Sequence, residues 1–296
     1  MRAFLLVPLL LAACNSETTL VVVDRLAPGG GGAAVSARPV LDVVVRLGAD
    51  ATGFFPVDLM RLLFDGVDRT VDVVIGGNYA VLRLSPAPAG AHSFELYRRR
   101  GPLLDTFTWN VAPFVGPRLD SVAPGSAMVG GSVTLTGSGF GAGAIRVFFG
   151  GVEGAVTGSS ATTVTATVPA AAVPGLVYLL VGGEAAEGVV GFLPLDGAGV
   201  AVPRPTTRLL FGVFPAHGGR EAPTRVYGIN FDDEDLPRFN GENGSRLFDL
   251  RTESLGLAGD VLHAFAVVHH EAPLGPGTLA LSDGRNHSPT LPFTVD

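Results

Sequence analysis

The chain has 296 residues, 47% of them hydrophobic and only 16% charged, against about 25% charged in an average globular protein. That balance excludes a disordered acidic or basic chain, and the length suits two or three compact domains. The basic residues are all arginine and number 20 against 27 acidic ones; a net charge of −7 repels a phosphate backbone and excludes nucleic acid as a partner. Glycine (41) and proline (22) are frequent enough to punctuate many short strands.

The N-terminus reads MRAFLLVPLLLAAC, with Arg2, an apolar stretch from Phe4 to Leu11 and small residues before Cys14. This is the pattern of a secretion signal, far below the roughly 20 apolar residues that span a membrane as a helix. No later window is long enough and free of turn residues, so no transmembrane helix is expected. Cys14 is the sole cysteine and has no disulfide partner in an oxidising compartment. Leu11-Ala12-Ala13-Cys14 resembles the bacterial lipobox. The resemblance implies a lipoprotein signal peptide over 1–13, lipidation at Cys14, and acyl chains holding the protein to a membrane it does not cross. With Asn15 rather than aspartate next, it points to the outer membrane of a bacterial cell envelope, on its periplasmic or surface face.

Residues 14–37 read as a flexible tether, because the run Ala27-Pro28-Gly29-Gly30-Gly31-Gly32-Ala33-Ala34 has little to pack. The apolar Leu20-Val21-Val22-Val23 fits an early strand as well as a tether. From Pro39 onward, β-branched and aromatic residues recur in short runs bounded by turn residues. They are Val40 to Arg46, Val71 to Ile75 and Tyr79 to Leu84, then Gly90 to Leu96 and Thr106 to Val111. Gly76-Gly77-Asn78 between the second and third is a hairpin signal. The set resembles a bacterial immunoglobulin-like sandwich over 38–113.

A repeat follows. Aligning Pro124 with Pro215 places Gly137 opposite Gly228 and Phe140 opposite Phe231 without a gap; farther on, Gly175-Leu176-Val177-Tyr178-Leu179 matches Gly277-Thr278-Leu279-Ala280-Leu281. A proline ends the entry strand, a glycine permits a turn closed to other residues, and a phenylalanine plugs the core. The pattern through Val133-Thr134-Leu135-Thr136-Gly137-Ser138-Gly139-Phe140 and Thr162-Thr163-Val164-Thr165 resembles the IPT/TIG family over 117–194. A divergent IPT/TIG-like copy over 205–296 lacks the Gly-Gly and Thr-Thr-Val-Thr elements and carries an insert, 232–244. The expected fold is all-β: three tandem immunoglobulin-like β-sandwiches after a lipoprotein signal peptide and tether, with linkers near 113–117 and 194–205.

Chemistry is sparse. Gly137, Gly139, Gly141 and Gly143 precede a strand rather than a helix, and no lysine exists to serve a phosphate loop. No Gly-x-Ser-x-Gly is present; after Ser132 and Ser160 the second glycine is replaced by Thr134 and Thr162. His263, His269, His270, Glu271 and His287 are locally dense, but neighbours on a strand face opposite ways, leaving only His270 and His287 to meet across a hairpin. Asp232, Asp233 and Asp235 in the acidic insert are weak calcium candidates, a solvated loop being the plainer reading. Arg98-Arg99-Arg100 reads as a hairpin tip that either stays solvated or meets anionic headgroups. Exposed aromatics such as Trp109 or Tyr97 could stack on sugars, but a single tryptophan in a β-run more often fills a core, and that is the reading taken. No cofactor, metal or catalytic residue is expected, and the protein reads as no enzyme. The IPT/TIG resemblance implies a non-catalytic binding or scaffolding role at the envelope, with an envelope protein or glycan as partner. Alternatives are a spacer without a ligand and an accessory module of an extracellular carbohydrate-active system.

Overall fold

The apolar runs pair as antiparallel strands, each burying side chains and spending its backbone groups on its neighbours. The computed structural model of the chain describes residues 22–27, 35–36, 41–47, 60–69, 73–76, 79–84, 90–98, 103–112, 116–220, 223–243, 247–269 and 271–296. Among them the strands gather into six sheets, two for each of three sandwiches in chain order. The fold is all-β, a tandem of immunoglobulin-like domains.

The first sandwich holds β1 (Val22–Ala27), β2 (Val35–Ser36), β3 (Leu41–Leu47), β4 (Met60–Phe64), β5 (Val67–Asp68), β6 (Val73–Gly76), β7 (Tyr79–Leu84), β8 (Gly90–Arg98) and β9 (Leu103–Ala112). Its sheets run β1-β3-β7-β6 and β2-β9-β8-β4-β5. The second holds β10 (Arg118–Ala123), β11 (Ser126–Met128), β12 (Ser132–Ser138), β13 (Ile145–Phe149), β14 (Val152–Gly154), β15 (Val156–Ser159), β16 (Thr163–Thr167), β17 (Gly175–Val181), β18 (Glu184–Ala185) and β19 (Val190–Leu195). Its sheets run β10-β12-β16-β15 and β11-β19-β17-β13-β14, with β18 an extra hairpin strand on β17. The third holds β20 (Leu209–Phe214), β21 (His217–Gly218), β22 (Pro223–Ile229), β23 (Leu236–Phe239), β24 (Glu242–Asn243), β25 (Phe248–Ser254), β26 (Asp260–Val267), β27 (Gly275–Ser282) and β28 (Leu291–Val295). Its sheets run β20-β22-β26-β25 and β21-β28-β27-β23-β24. All three share one topology, down to the short parallel pairs β2 with β9, β11 with β19 and β21 with β28.

The repeat read from the second and third copies therefore extends to the first. In each, a phenylalanine precedes a two-residue hairpin whose residues both have positive φ: Asp65 and Gly66 at 49° and 76°, Gly150 and Gly151 at 57° and 82°, Asn240 and Gly241 at 52° and 95°. These are the left-handed values that a tight hairpin between twisted strands demands. The preceding ring packs edge-on against a partner in the core: Phe64 on Phe94 at 5.2 Å, Phe149 on Phe192 at 5.1 Å, Phe239 on Phe293 at 5.0 Å. Phe140 and Phe231 are buried at equivalent places. Their glycines serve close approach rather than a turn: a Cβ on Gly137 would meet the Arg118 carbonyl and the Phe140 ring, and one on Gly228 the Leu209 carbonyl and the Phe231 ring. The turn falls two residues later, on Gly139 at φ 75° and its counterpart Asn230 at φ 58°.

Two expectations change. Val22–Ala27 pairs with β3 and Val35–Ser36 with β9, so part of the span read as tether supplies the first two strands of a sandwich. The glycine run hid them by lying between two strands too short to show a period. The insert over 232–244 contains β23 and β24, the hairpin that every copy carries; its acidic approach and Asn-Gly tip imitate a loop. Cys14 lies outside the described residues. No described helix is long and apolar enough to cross a membrane.

Candidate functional site

Among the described residues, one large apolar cluster ignores the domain boundary. Phe148, Leu176, Tyr178, Leu180 and Ala185 of the second sandwich belong to one buried group with Leu210, Phe211, Val213, Phe214, Ala216, Val226 and Tyr227 of the third. Strand β17 explains why. In an antiparallel sheet with one wet face, alternate residues are exposed, yet all seven residues of Gly175-Leu176-Val177-Tyr178-Leu179-Leu180-Val181 are buried. Val177, Leu179 and Val181 fill the second sandwich's own core, while Leu176, Tyr178 and Leu180 face the third domain.

Rings line this joint in sequence. Phe148 lies 5.8 Å from Tyr178, Tyr178 5.2 Å from Phe214, Phe214 5.5 Å from Tyr227 and Tyr227 5.3 Å from His263. Outside Phe148, the Arg146 guanidinium sits 5.1 Å over the ring and grips Glu153 through two hydrogen bonds of 2.8 and 2.7 Å. The Tyr178 hydroxyl is fully buried and donates to the Val213 carbonyl at 2.9 Å, so the joint leaves this polar atom paired. Burial drives its ionisation far above the ordinary tyrosine value, keeping it a neutral donor.

Glycines let the two backbones approach. A Cβ on Gly151 would strike the Leu210 carbonyl, one on Gly175 the Phe211 ring, and one on Gly212 the Leu176 and Tyr178 side chains at 2.9 and 3.2 Å. At the other edge, Gly191 of β19 leaves room for the turn Leu255–Ala258, its absent Cβ falling 2.5 Å from the Leu255 carbonyl and 3.2 Å from Ala258. The linker is pinned too. Arg204 donates to the Asp260 carbonyl, and the Asn230 amide donates to the Pro205 and Thr207 carbonyls at 2.9 and 2.8 Å. His217 of the third domain bridges Glu184 of the second and Asp296, at 2.8 Å to each.

The residues singled out from sequence fall elsewhere. Asp232 and Asp233 are exposed, but Asp235 is 1% exposed. Its Oδ2 accepts from Arg208 Nε at 2.9 Å and from the Asp232 amide at 3.0 Å, and the same guanidinium reaches Asp283 at 3.1 Å. Asp283 is held well below the usual carboxylate range by the Asn286 and Arg285 amides and then by Arg208. Asp235 thus serves as the anchor of an arginine staple at the head of β23. Among the described residues no group of three or more histidine, cysteine or acidic side chains is placed to hold a metal. His263 is buried against Tyr227, His287 meets Arg238 at 3.1 Å, and His270 lies outside the described residues, as do Arg99 and Arg100.

In the first sandwich, the Asp65 turn clamps β8. Asp65 Oδ1 accepts from the Ser93 amide at 2.7 Å and Oδ2 pairs with His92 Nδ1 at 2.7 Å, while the imidazole stacks on Phe64 at 5.1 Å. The third sandwich repeats the clamp with Asn240, which accepts from the Thr278 amide at 2.8 Å and donates to the Pro273 carbonyl at 2.7 Å. The second has Gly150 at the clamp position, where a Cβ would strike the Val173 carbonyl, while one on the following Gly151 would strike the Leu210 carbonyl of the next domain.

The fold and joint define a chain of immunoglobulin-like sandwiches, two of them fused through a buried face. Residues 117–189 match the model of the IPT/TIG domain, so the middle sandwich is a domain of that family. No curated protein matches the chain. Solved structures similar to it include Bacteroides ovatus mixed-linkage glucan utilization locus SGBP-B in complex with a mixed-linkage heptasaccharide, 14% identical over 89% of this chain and 66% of that one, TM-score 0.23. The full extracellular region of plexin A4 is 14% identical over 84% of this chain and 22% of that one, TM-score 0.25. The titin I9-I11 tandem is 9% identical over 88% and 94%, TM-score 0.21. The chain thus spans less than two thirds of the first two.

Proposed function

We propose that this is a non-catalytic scaffold of the bacterial cell envelope, exported by residues 1–13 and anchored through acylated Cys14, which presents a binding surface on a stiff arm. The observation that supports the arm is the joint. A flexible string of domains leaves its sheet faces wet, whereas here Tyr178 and Phe211 are 0% exposed between two domains, and relative motion would uncover apolar surface at about 25 cal/mol per Å². The partner class is an envelope glycan or protein. Cross-linking in intact cells, followed by identification of what is captured, tests the scaffold, and fractionation of Cys14→Ser tests the anchor. The wild type is expected in the membrane fraction and the variant in the soluble one. A variant that stays with the membrane overturns the anchor, and the absence of any cross-linked component reduces the chain to a spacer.

A further inference from the structure

The sheet face that forms the joint occurs three times, and strand register lines its positions up. Between β4 and β8, Arg61 lies opposite Tyr97 and Leu63 opposite Glu95. The same places between β13 and β17 hold Arg146 with Leu180 and Phe148 with Tyr178. Between β23 and β27 they hold Leu236 with Ser282 and Arg238 with Ala280. One scaffold has therefore been given three surfaces. The second is apolar and covered by protein. The third carries the small residues Ala280 and Ser282 on β27, both buried. The first keeps an aromatic ring, but surrounds it with hydrogen-bonding groups.

On that first face the Arg61 guanidinium lies 4.5 Å over the Tyr97 ring, and the Tyr97 hydroxyl donates to Glu95. Glu95 holds Tyr97 protonated beyond its ordinary range, so the phenol remains a donor. Arg61 and Thr108 are exposed, Leu103 is 45% exposed, and Ser93 and Thr108 lie side by side in the adjoining row. The covered face of the second sandwich shows what this chain uses against protein: Leu176, Tyr178, Leu180, Phe148 and glycines that admit a backbone. By register Leu63 stands where Phe148 does, but Glu95 replaces Tyr178 and the hydroxyl-bearing Tyr97 replaces Leu180. What the face presents instead is donors and acceptors: Arg61, Glu95, the Tyr97 hydroxyl, Ser93 and Thr108. The charge balance sets the sign. Arg61 and Glu95 offset each other in sign on this face and the whole chain carries −7, so an anionic polymer is repelled.

Resting on the binding role proposed above, we propose that this face of the first sandwich binds a neutral polysaccharide lying across β4, β8 and β9. Arg61 donates to ring or hydroxyl oxygens, Glu95 accepts through the oxygen not taken by Tyr97, and the Tyr97 edge with Leu63 and Leu103 packs against the apolar C–H faces of the sugars. Affinity electrophoresis and titration calorimetry of the full chain test this with soluble mixed-linkage β-glucan, xyloglucan and pullulan as neutral probes, and polygalacturonate as the anionic comparison. The wild type is expected to be retarded by at least one neutral probe and not by polygalacturonate. Arg61→Ala and Tyr97→Ala are expected to weaken that binding by about tenfold or more, and Thr165→Ala on the second sandwich to leave it unchanged. Tyr97→Phe keeps the ring and its packing, so a weakened complex with an unaltered melting curve separates recognition from folding. The proposal is overturned if no neutral probe binds, if polygalacturonate binds better, or if the Arg61 and Tyr97 variants bind as the wild type does. None of these results bears on the Cys14 anchor or on cross-linking to a protein, so the scaffold reading stands or falls separately.

Discussion

Single side chains fix each sandwich at the hairpin after its core phenylalanine, and the chemistry of that clamp differs between copies. Asn240 supplies both an acceptor and a donor, whereas Asp65 has only acceptors and relies on His92 to complete the set. Burial opposes the Asp65 charge, but the His92 and Ser93 hydrogen bonds outweigh it and leave its carboxyl below the ordinary value. A folded value below the unfolded one means that the charge stabilises the fold above the usual carboxylate range, and that this contribution disappears as pH falls through the depressed value. Asp65→Asn keeps the shape and the tolerance of positive φ, so it isolates the charge. It is expected to cost about 0.5–1.5 kcal/mol near neutral pH, toward the lower end because the side chain is 42% exposed. Urea unfolding at a series of pH values should show the gap from wild type closing below about pH 4. The Arg208 staple makes a harsher case. Arg208→Ala strands the buried Asp235 carboxylate without its cation, an expected loss of about 3–5 kcal/mol. Because Asp235 is already held by Arg208, millimolar calcium is expected to leave the wild-type melting temperature unchanged; a rise would return the acidic loop to ion binding.

At the scale of strands, β17 carries the joint. Tyr178→Phe leaves the Val213 carbonyl without its donor in a dry site and should cost about 1 kcal/mol. Gly175→Ala drives a methyl into the Phe211 ring and should cost about 1–3 kcal/mol. Gly125→Ala meets nothing within 4 Å and is the control, all three being read by the denaturant midpoint. Much of this architecture was legible in the residues. The gapless match of Pro124-Gly137-Phe140 to Pro215-Gly228-Phe231 marks two copies, and the aromatic and β-branched runs mark strands. The joint was also written there, as the unbroken apolar runs of β17 and of Leu209-Leu210-Phe211-Gly212-Val213-Phe214, since a strand buried on both faces shows no alternation. What hid it is that a continuous run says a second face is covered without saying by which element. The face of the first sandwich was hidden for the opposite reason. Arg61, Glu95 and Tyr97 are far apart or unremarkable in sequence, and only the register of β4 against β8 brings them together.

For the whole molecule, the joint changes what counts as a domain. A linker of ordinary length normally leaves neighbouring sandwiches to unfold independently. Here the third sandwich completes its core with side chains of the second, while Arg204, Asn230 and His217 fasten the edges. Among the described residues, the outward sheets of this pair carry no second copy of the joint. Pairing a face like β17 with a sheet like β20-β22 is a head-to-tail contact, which propagates unless the ends differ. The outward sheets do differ: β12 and β16 show threonines, with Thr134 opposite Thr165 and Thr136 opposite Thr163, and on β27 Thr278 is exposed while Ala280 is buried. Neither offers the rings that the joint requires. The second and third sandwiches are therefore expected to unfold as one cooperative unit, in a single calorimetric transition whose denaturant slope corresponds to the surface of both. Gly175→Val, with a larger intrusion than alanine, should divide that transition into two, the third sandwich melting first because it loses the larger share of its buried cluster. Two separate transitions in the wild type would show that the joint closes without coupling its domains, and the stiff arm would have to be abandoned.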